Sequence, residues 1–404
     1  MPSASKRIYY GWWVVAGAFL LLFCAAGTHF YAFPVFLDVM VREMGWARTQ
    51  AALAMTIGTL VTGAMGVFVG VLIHRIGLKP VMVSGAVIAG LGLVLFRTVS
   101  EPWQFYICYG VVLSVGVAGI GTVASMTAVE TWFDNGKSTA LGIASTGIGA
   151  GGIVMPLIAG WLISRYDWQT ACAFLAGILM LICVPISAFV MRQRGGRLVG
   201  SGEESQKRSR TIDVAIGKAL KQKSFWLLSL GGMLWYLAYT IGLAHQVAFA
   251  VDAGIDRVAA AGAVSLLCVF SIPARILFGR LGDIMDKRYV MMMAAGLEAL
   301  AFLTLLKGAN LTTLYIYSAL MGIGVGGLTP ILPGLVADYF GRRHFAAIYG
   351  ALEMVTTSGI MIGPVYAGRI FDVTKSYQLA FLSGIVIALL AIVVVCLAPK
   401  ANTR

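Results

Sequence analysis

Residues Leu266–Arg288 read LLCVFSIPARILFGRLGDIMDKR, an apolar run that carries one arginine and ends in a polar turn. The run begins near Ala259, and as a helix it covers roughly 34 Å at about 1.5 Å per residue, which spans a bilayer. Arg275 precedes Asp283 by two helical turns and lies about 12 Å inside the membrane. A guanidinium there costs about 3 kcal/mol or more, so it is expected to serve a substrate, an ion pathway or a buried partner. We infer that Arg275 binds a small carboxylate.

The composition extends this interpretation to the whole chain. The 404 residues are 59% hydrophobic and only 12% charged, which is more apolar than a soluble protein requires. The net charge of +13 would indicate nucleic acid binding in a soluble protein, but here the basic residues sit beside apolar runs, so no nucleic acid partner is expected. The sequence predicts a polytopic helical protein whose partners include the lipid bilayer.

Twelve apolar segments can be counted, and they predict an all-α membrane protein with twelve transmembrane helices. They are Trp12–Phe36, Ala51–Ile73, Val81–Phe96, Phe105–Val129, Thr139–Ile163, Ala171–Met191, Phe225–Val247, Ala259–Leu281, Tyr289–Leu306, Leu314–Tyr339, Phe345–Ile370 and Leu379–Leu397. The widest polar gap predicts a linker over 192–223, which separates a six-helix bundle at 1–191 from a second at 224–404. The first apolar segment follows Lys6 and Arg7 but is long enough to span, so we expect it to be retained and not cleaved as a signal peptide.

Most lysines and arginines fall on the side shared by both termini, the linker and the even-numbered loops. Because basic loops remain on the cytoplasmic side, both termini are expected to be cytoplasmic. The six cysteines lie inside apolar runs without a CxxC pair, and no histidines stand at ligand spacing, so neither a metal nor a cofactor is expected. No HExxH, GxSxG or Walker pattern occurs, which argues against an enzyme.

The two halves repeat each other. The stretch from Gly70 to Lys79, GVLIHRIGLK, follows helix two, and the stretch from Gly279 to Arg288, GRLGDIMDKR, follows helix eight. PLIAG at 156–160 recurs 208 residues later as PVYAG at 364–368, and Gly279 follows Gly70 by 209 residues, which is nearly the same spacing. Matching offsets in matching topology indicate a duplication, which places a substrate near the membrane midplane between the halves.

At these residues the chain resembles the major facilitator superfamily over essentially its whole length. The family's cytoplasmic signature reads roughly G-x-L-x-D-R-x-G-x-K/R, and both copies depart from it. The first copy has His74 at the aspartate position, and the second keeps Asp283 but has Ile284 and Asp286 at the arginine and glycine positions. The resemblance implies a gating or structural role for Gly70, Arg75, Gly77, Lys79, Gly279, Arg280 and Asp283.

A finer resemblance lies in helices one, five and eight. Tyr10-Gly-Trp-Trp and Tyr31-Ala-Phe-Pro34 look like helix one of monocarboxylate transporters, and Ala140-Leu-Gly142, with Asp167-Trp168 after helix five, fits the same group. Arg275-x-x-x-Gly279-x-x-x-Asp283 is similar to the helix-eight motif of monocarboxylate carriers and oxalate–formate exchangers. This resemblance implies transport of small organic anions with Arg275 on the carboxylate, and it looks like that of a bacterial carrier in the inner membrane.

Three departures refine the expected substrate. Val35 stands where animal monocarboxylate carriers have a lysine, Ser271 where they have an aspartate, and Thr356 where oxalate exchangers have a lysine. One midplane cation in place of two favours a monocarboxylate over a dicarboxylate.

The remaining candidates are polar residues on helices that line the pathway in this superfamily. For substrate binding, besides Arg275, they are His29, Tyr31, Tyr236, Tyr239, Tyr349 and Thr356. For proton coupling they are Asp252, Asp256, His245 and Glu353. Glu353 lies at about the depth of Arg275, and histidines titrate in the right pH range. Each also has a plain structural interpretation as a core hydrogen-bonding or helix-capping residue.

Charge balance suggests the mechanism. With an anion on Arg275, a nearby carboxyl must be protonated before the carrier can reorient at low cost. This predicts proton symport of a monocarboxylate such as L-lactate or pyruvate, with alternating access by rocking of the two halves. The alternatives are an oxalate–formate type of anion exchanger, which needs no proton, and a drug or siderophore exporter, which would not need Arg275.

Overall fold

The computed structural model describes residues 9–194, 215–308 and 310–401. Its described residues form helices without strands, and twelve of the helices are long and apolar enough to cross a membrane, which confirms the all-α prediction. They are α1 (Tyr10–Glu43), α2 (Gln50–Ile76), α3 (Leu78–Phe96), α4 (Pro102–Glu130), α5 (Lys137–Arg165), α6 (Trp168–Val190), α7 (Lys223–Asp252), α8 (Gly262–Ile284), α9 (Lys287–Leu306), α10 (Leu311–Phe340), α11 (Phe345–Thr374) and α12 (Gln378–Cys396).

Helical conformation begins before the apolar span in α2 and α8, at Arg48 and Arg257. Between α6 and α7 one further helical turn covers Ile216–Ala219. Most of the predicted linker, residues 195–214, lies outside the described residues. The predicted bundle boundaries therefore stay a prediction.

Both ends of the described chain lie on one face of the membrane, which we call the terminus face. The Tyr9 ring contacts the ring of Trp132 in the α4–α5 loop at 6.0 Å between centroids. Near the other end, Arg288 Nη1 donates to the Ala398 carbonyl at 2.6 Å. The opposite side is the far face. Which face is cytoplasmic stays a prediction.

The helices pack as two groups, α1–α6 and α7–α12, that meet along two seams. We call these the α2–α11 seam and the α5–α8 seam. Glycines bring the backbones together there: a Cβ at Gly350 would come within 2.1 Å of the Gly66 carbonyl oxygen, and one at Gly142 within 2.4 Å of the Arg275 carbonyl oxygen. Only glycine permits approaches this close, so each seam depends on it.

Two helices of the first group deviate from α-helical geometry near the midplane. In α1 a π-helical turn covers Gly27–Tyr31 just before Pro34, whose ring nitrogen cannot donate to the preceding turn. In α4 the helix breaks at Gly121, and the Ser125 hydroxyl donates to the Ile120 carbonyl at 2.7 Å. The hydroxyl satisfies a carbonyl that the break leaves without its helical partner. Both deviations face the central cavity.

Candidate functional site

A cavity of about 230 Å³ lies between the two helix groups, lined by residues from the middle of the spanning helices. Its wall comes from both groups and includes six residues singled out in the sequence: His29, Tyr31, Tyr236, Tyr239, Arg275 and Glu353. Pockets for drug-sized ligands run from about 300 Å³ upward, so this volume fits a small molecule.

Arg275 is 3% exposed and belongs to the cavity wall. Its Nη1 donates to the backbone carbonyl of Ser145 in α5 at 3.0 Å, across the α5–α8 seam. Its Nε has no hydrogen-bond partner among the described residues, and the ion pairs found there do not include Arg275. A buried guanidinium with an unused N–H is a donor awaiting an acceptor.

Tyrosine side chains from both groups surround this guanidinium. Tyr31 of α1 and Tyr236 and Tyr239 of α7 are its electrostatic neighbours. The Tyr31 and Tyr239 hydroxyls are within hydrogen-bonding reach of each other, although they belong to different groups. Counted along the helices at about 1.5 Å per residue, both tyrosines lie on the far-face side of Arg275. A ligand that enters from the far face therefore passes this pair first.

Glu353 of α11 also lines the cavity. Its carboxyl group is within hydrogen-bonding reach of the side chains of Tyr349 and Thr356. Those two residues are almost fully buried and lie behind the wall, where the Thr356 side chain packs against Gly232. The structure thus places Tyr349 and Thr356 as supports of a carboxyl group and outside the cavity lining, while Thr357 lines it.

His29 sits on the π-helical turn of α1 and is 6% exposed. Its Nε2 lies 2.8 Å from the Ser114 hydroxyl, and its ring stacks on Tyr109 at 5.5 Å. Tyr109 also donates to the His29 carbonyl. These α4 side chains, which the sequence analysis did not single out, hold the imidazole at the cavity wall.

Three predicted proton-coupling residues lie away from the cavity, toward the far face. His245 Nε2 is 3.0 Å from the Pro364 carbonyl oxygen, and its Nδ1 is 3.4 Å from the Tyr377 hydroxyl. Asp252 is exposed. Asp256 is exposed as well and accepts from the Ala259 backbone N–H at 3.1 Å at the start of α8.

The signature loops meet the seams at the terminus face. Asp283 accepts from the Ser138 and Thr139 backbone N–H groups at 2.8 and 2.9 Å, and from the Thr139 hydroxyl at 2.5 Å. It therefore caps α5 from the other helix group. Gly70 and Gly279 each contact the partner backbone directly, and Gly77 takes the left-handed φ of +90° that ends α2. The side chains of Arg75, Lys79 and Arg280 are exposed.

Ion pairs that the sequence analysis missed also join the groups at this face. Arg342, in the α10–α11 loop, contacts Glu130 of α4 at 2.9 Å and Asp134 of the following loop at 2.7 Å. The hydrogen bond from Arg342 holds the pKa of the Asp134 carboxyl below its usual value. Lys137 also contacts Glu130, at 3.0 Å. Because Arg342 is far from Glu130 and Asp134 in sequence, only the fold brings these partners together.

Within the described ranges, no grouping of three or more histidine, cysteine, aspartate or glutamate side chains could hold a metal ion. Glu298 of α9 is fully buried, and its carboxyl oxygens find no hydrogen-bond partner in the part of the chain that the structure covers. It does not line the cavity.

Comparison with known proteins identifies relatives over nearly the whole chain. Residues 18–280 and 246–403 match the family model described as Major Facilitator Superfamily. Monocarboxylate transporter 2 of Homo sapiens is 25% identical over 98% of this chain and 87% of its own length. Monocarboxylate transporter 13 of Rattus norvegicus is 24% identical over 92% of this chain and 85% of its own.

Two solved structures share the fold. FucP, a Major Facilitator Superfamily transporter in the outward conformation, has a TM-score of 0.70 at 16% identity, with 96% of this chain and 98% of FucP covered. The human organic anion transporter MFSD10 has a TM-score of 0.72 at 15% identity, with 95% and 99% covered. At these identities the likeness concerns the fold alone.

Proposed function

The chain belongs to the major facilitator superfamily, and from that membership and the setting of Arg275 we propose that it transports small monocarboxylates across a membrane. Membership in a transporter family confirms the prediction that the chain is not an enzyme. The twelve spans make it a multi-pass membrane protein.

The observation that carries the proposal is the incomplete hydrogen bonding of Arg275 at the cavity wall. A buried guanidinium is costly unless it is paired, yet Arg275 Nε has no partner among the described residues. A carboxylate accepts two parallel N–H bonds from a guanidinium and supplies the missing negative charge. Similarity to relatives that are named monocarboxylate transporters supports a substrate with one carboxylate.

The number of cations in the wall favours one carboxylate over two. Arg275 is the only lysine or arginine among the residues found to line the cavity. A second carboxylate in that space would need its own positive partner. The small cavity volume of about 230 Å³ agrees with an acid of a few carbon atoms, such as lactate or pyruvate.

Proton symport follows from charge balance if Glu353 carries the proton. Both Arg275 and Glu353 belong to the wall. When a substrate anion pairs with Arg275, an ionised Glu353 is left as an unpaired negative charge. An unpaired charge inside the membrane costs about 3 kcal/mol, which would slow reorientation roughly 100-fold. Protonation of Glu353 removes that charge. Substrate and proton then cross together by alternating access between the two groups.

The same geometry gives one reason to keep an anion exchanger as the second candidate. Glu353 is within reach of Tyr349 and Thr356 and forms no ion pair with Arg275. An exchanger of the oxalate–formate type needs only the arginine and always carries an anion across.

Uptake into proteoliposomes separates the two candidates. We expect labelled lactate to accumulate when an inwardly directed pH gradient is imposed, and unlabelled lactate, pyruvate, acetate and formate to compete better than oxalate. Net uptake that ignores the gradient, together with rapid counterflow, would replace symport by exchange. Failure of every monocarboxylate to compete would refute the substrate class.

Topology and location belong to the same proposal. The excess of basic residues at the terminus face supports cytoplasmic termini, and the resemblance to bacterial carriers supports an inner-membrane location. The bundle boundaries at 1–191 and 224–404, with a linker at 192–223, complete the arrangement. In a variant whose six native cysteines are replaced by serine or alanine, labelling of a cysteine introduced in the α4–α5 loop, from one membrane side at a time, tests the orientation.

A further inference from the structure

The two copies of the signature loop differ at the residue that faces the opposite helix group. By the repeat, His74 of α2 is the counterpart of Asp283 of α8. Asp283 accepts from two backbone N–H groups at the start of α5. Gly70 meets the Ala346 backbone at the start of α11, as Gly279 meets the Ser138 backbone at the start of α5. His74 therefore stands beside a helix N-terminus where its counterpart is a carboxylate.

A second histidine occupies the receiving side of this seam. His344 is the residue before the first turn of α11, and its ring lies 5.0 Å from the His74 ring at an angle of 47°. His74 Nδ1 is buried and finds no hydrogen-bond partner among the residues the structure describes. The two imidazoles contact each other across the junction of the helix groups.

The surroundings of the pair are mostly positive. Arg342 and Arg343 precede His344, and both line the same small cavity as the two histidines. Glu130 of α4 also lines it; Arg342 and Lys137 contact its Oε1 at 2.9 and 3.0 Å, and its Oε2 has no hydrogen-bond partner among the described residues.

The charges contributed by the end of α2 and the start of α3 are positive too, since Arg75 and Lys79 stand there. The start of α11 adds the positive end of its helix dipole beside His344, while His74 lies in the last turn of α2, at the negative end of that helix. An additional proton on either imidazole would thus join an environment with one carboxylate and several cations.

We propose that the His74–His344 pair is a proton-binding site, and that a proton taken up from the terminus face loosens the α2–α11 seam. Histidine is the side chain whose ordinary titration falls between pH 5 and 8. A protonated imidazole is repelled by the N-terminus of α11 and by the arginines. Asp283 at the α5–α8 seam, in contrast, stays negative and attracted to the N-terminus of α5. Acid at the terminus face then favours the state open to that face.

The Arg342–Asp134 pair does not share this response. Arg342 lowers the pKa of the Asp134 carboxyl, so this contact is kept as the pH falls from 7.5 to 5.5 and is lost only in stronger acid. The inference rests on the proposed alternating access but not on the identity of the substrate.

Hydrogen exchange of the purified full-length protein in lipid nanodiscs tests the site. Rates are measured at pH 5.5, 6.5 and 7.5 and corrected for the intrinsic pH dependence of amide exchange. We expect exchange in peptides from 66–79 and 342–352 to rise about threefold at pH 5.5 beyond that correction, the scale of a charge at a helix terminus. Peptides from the start of α5 should not change.

Two variants make the test symmetric. His74→Asp copies the second repeat and should abolish the rise, and His74→Gln should do so without adding a charge. Asp283→His copies the first repeat and should produce an acid-dependent rise at the start of α5. Unchanged or slower exchange of wild type in acid, as when a protonated imidazole instead binds Glu130, would overturn the proposal.

A response kept in His74→Gln would also overturn it. The Arg275→Lys variant separates this inference from the proposed function, because we expect it to lose transport and keep the pH response of the seam.

Discussion

The two seams are built alike in backbone and differ in chemistry. In each, a glycine meets a carbonyl oxygen of the other group: Gly350 meets Gly66, and Gly142 meets Arg275. By the repeat, Gly66 is the counterpart of Arg275, and Ser145 is the counterpart of Glu353. The α5–α8 seam thus carries the cation, Arg275, and the α2–α11 seam carries the carboxyl, Glu353. The residue at the equivalent position of the other copy is small in both cases.

This difference teaches how a duplicated scaffold acquires an asymmetric site. Under the proposed alternating access, the close helix contacts must be kept in both copies, because both seams have to close. Under the proposed function, the ionisable groups need to be present only once, because one carboxylate substrate requires one guanidinium and one compensating carboxyl group. Four substitutions would break or sharpen the comparison.

The largest effect is expected from Arg275→Lys, which replaces the guanidinium at the α5–α8 seam with an ammonium group and so keeps the positive charge. A lysine cannot donate two parallel N–H bonds to a carboxylate, so we expect initial uptake of lactate to fall about 100-fold. Proteoliposome uptake measures it. Arg369→Lys, on an exposed position of α11, is the control and should transport normally. A normal rate in Arg275→Lys would remove the basis of the proposed function.

Gly350→Ala tests whether the α2–α11 seam must close. Its Cβ would come within 2.1 Å of the Gly66 carbonyl oxygen, and because that oxygen is a backbone atom and the Cβ position is fixed by the backbone, the helices must separate. We expect transport to fall about tenfold, with faster hydrogen exchange at the start of α11. The matched control is Gly177→Ala in α6, where a Cβ meets nothing within 4 Å. If both variants behave like wild type, the seam is not a gate.

Glu353→Gln removes the carboxyl of the α2–α11 seam while it keeps the shape of the side chain. If Glu353 carries the proton, accumulation driven by a pH gradient should fall about tenfold, because a neutral amide cannot change charge with pH. Exchange of labelled for unlabelled lactate should persist. Glu43→Gln, exposed near the far face, serves as the control. Undiminished pH-driven accumulation would assign the proton to another group.

The smallest effect is expected from Asp283→Asn, which keeps one of the two acceptor oxygens, replaces the other with an amide NH2 that cannot accept, and removes the charge beside the α5 N-terminus. Loss of the charge and of one hydrogen bond together costs about 1 kcal/mol, so exchange of amides at the start of α5 should rise about fivefold at pH 7.5. Exchange at the start of α11 should stay at the wild-type value. An equal rise at both seams would mean that they open as one unit.

Much of the fold could be predicted because its signals are local. Twelve apolar runs predict the number of helices, and short motifs of the first half that recur in the second at nearly constant spacing indicate a duplication. Arg275 could be singled out for the same reason, since a lone arginine inside an apolar run stands out without any knowledge of its neighbours.

The partners of the site could not be predicted in this way. Ser145, Tyr109 and Ser114 carry ordinary side chains on apolar helices, and nothing local marks them. Thr356 and Tyr349 could be placed on a pathway helix, but their rotation about its axis puts them behind Glu353 and outside the cavity lining. The predicted proton-coupling residues His245 and Asp252 lie in the far-face part of α7, and Asp256 follows that helix; all three are away from the cavity.

The sequence by itself determined the apolar helices, marked Arg275 within one of them and predicted the duplication, because burying a helix in lipid requires an apolar run and every exception within such a run is visible. Only the tertiary structure decided which side chains meet across the seams. A residue far along the chain becomes a neighbour through helix rotation and packing, and those are set by the glycine contacts of the whole assembly and not by any one stretch.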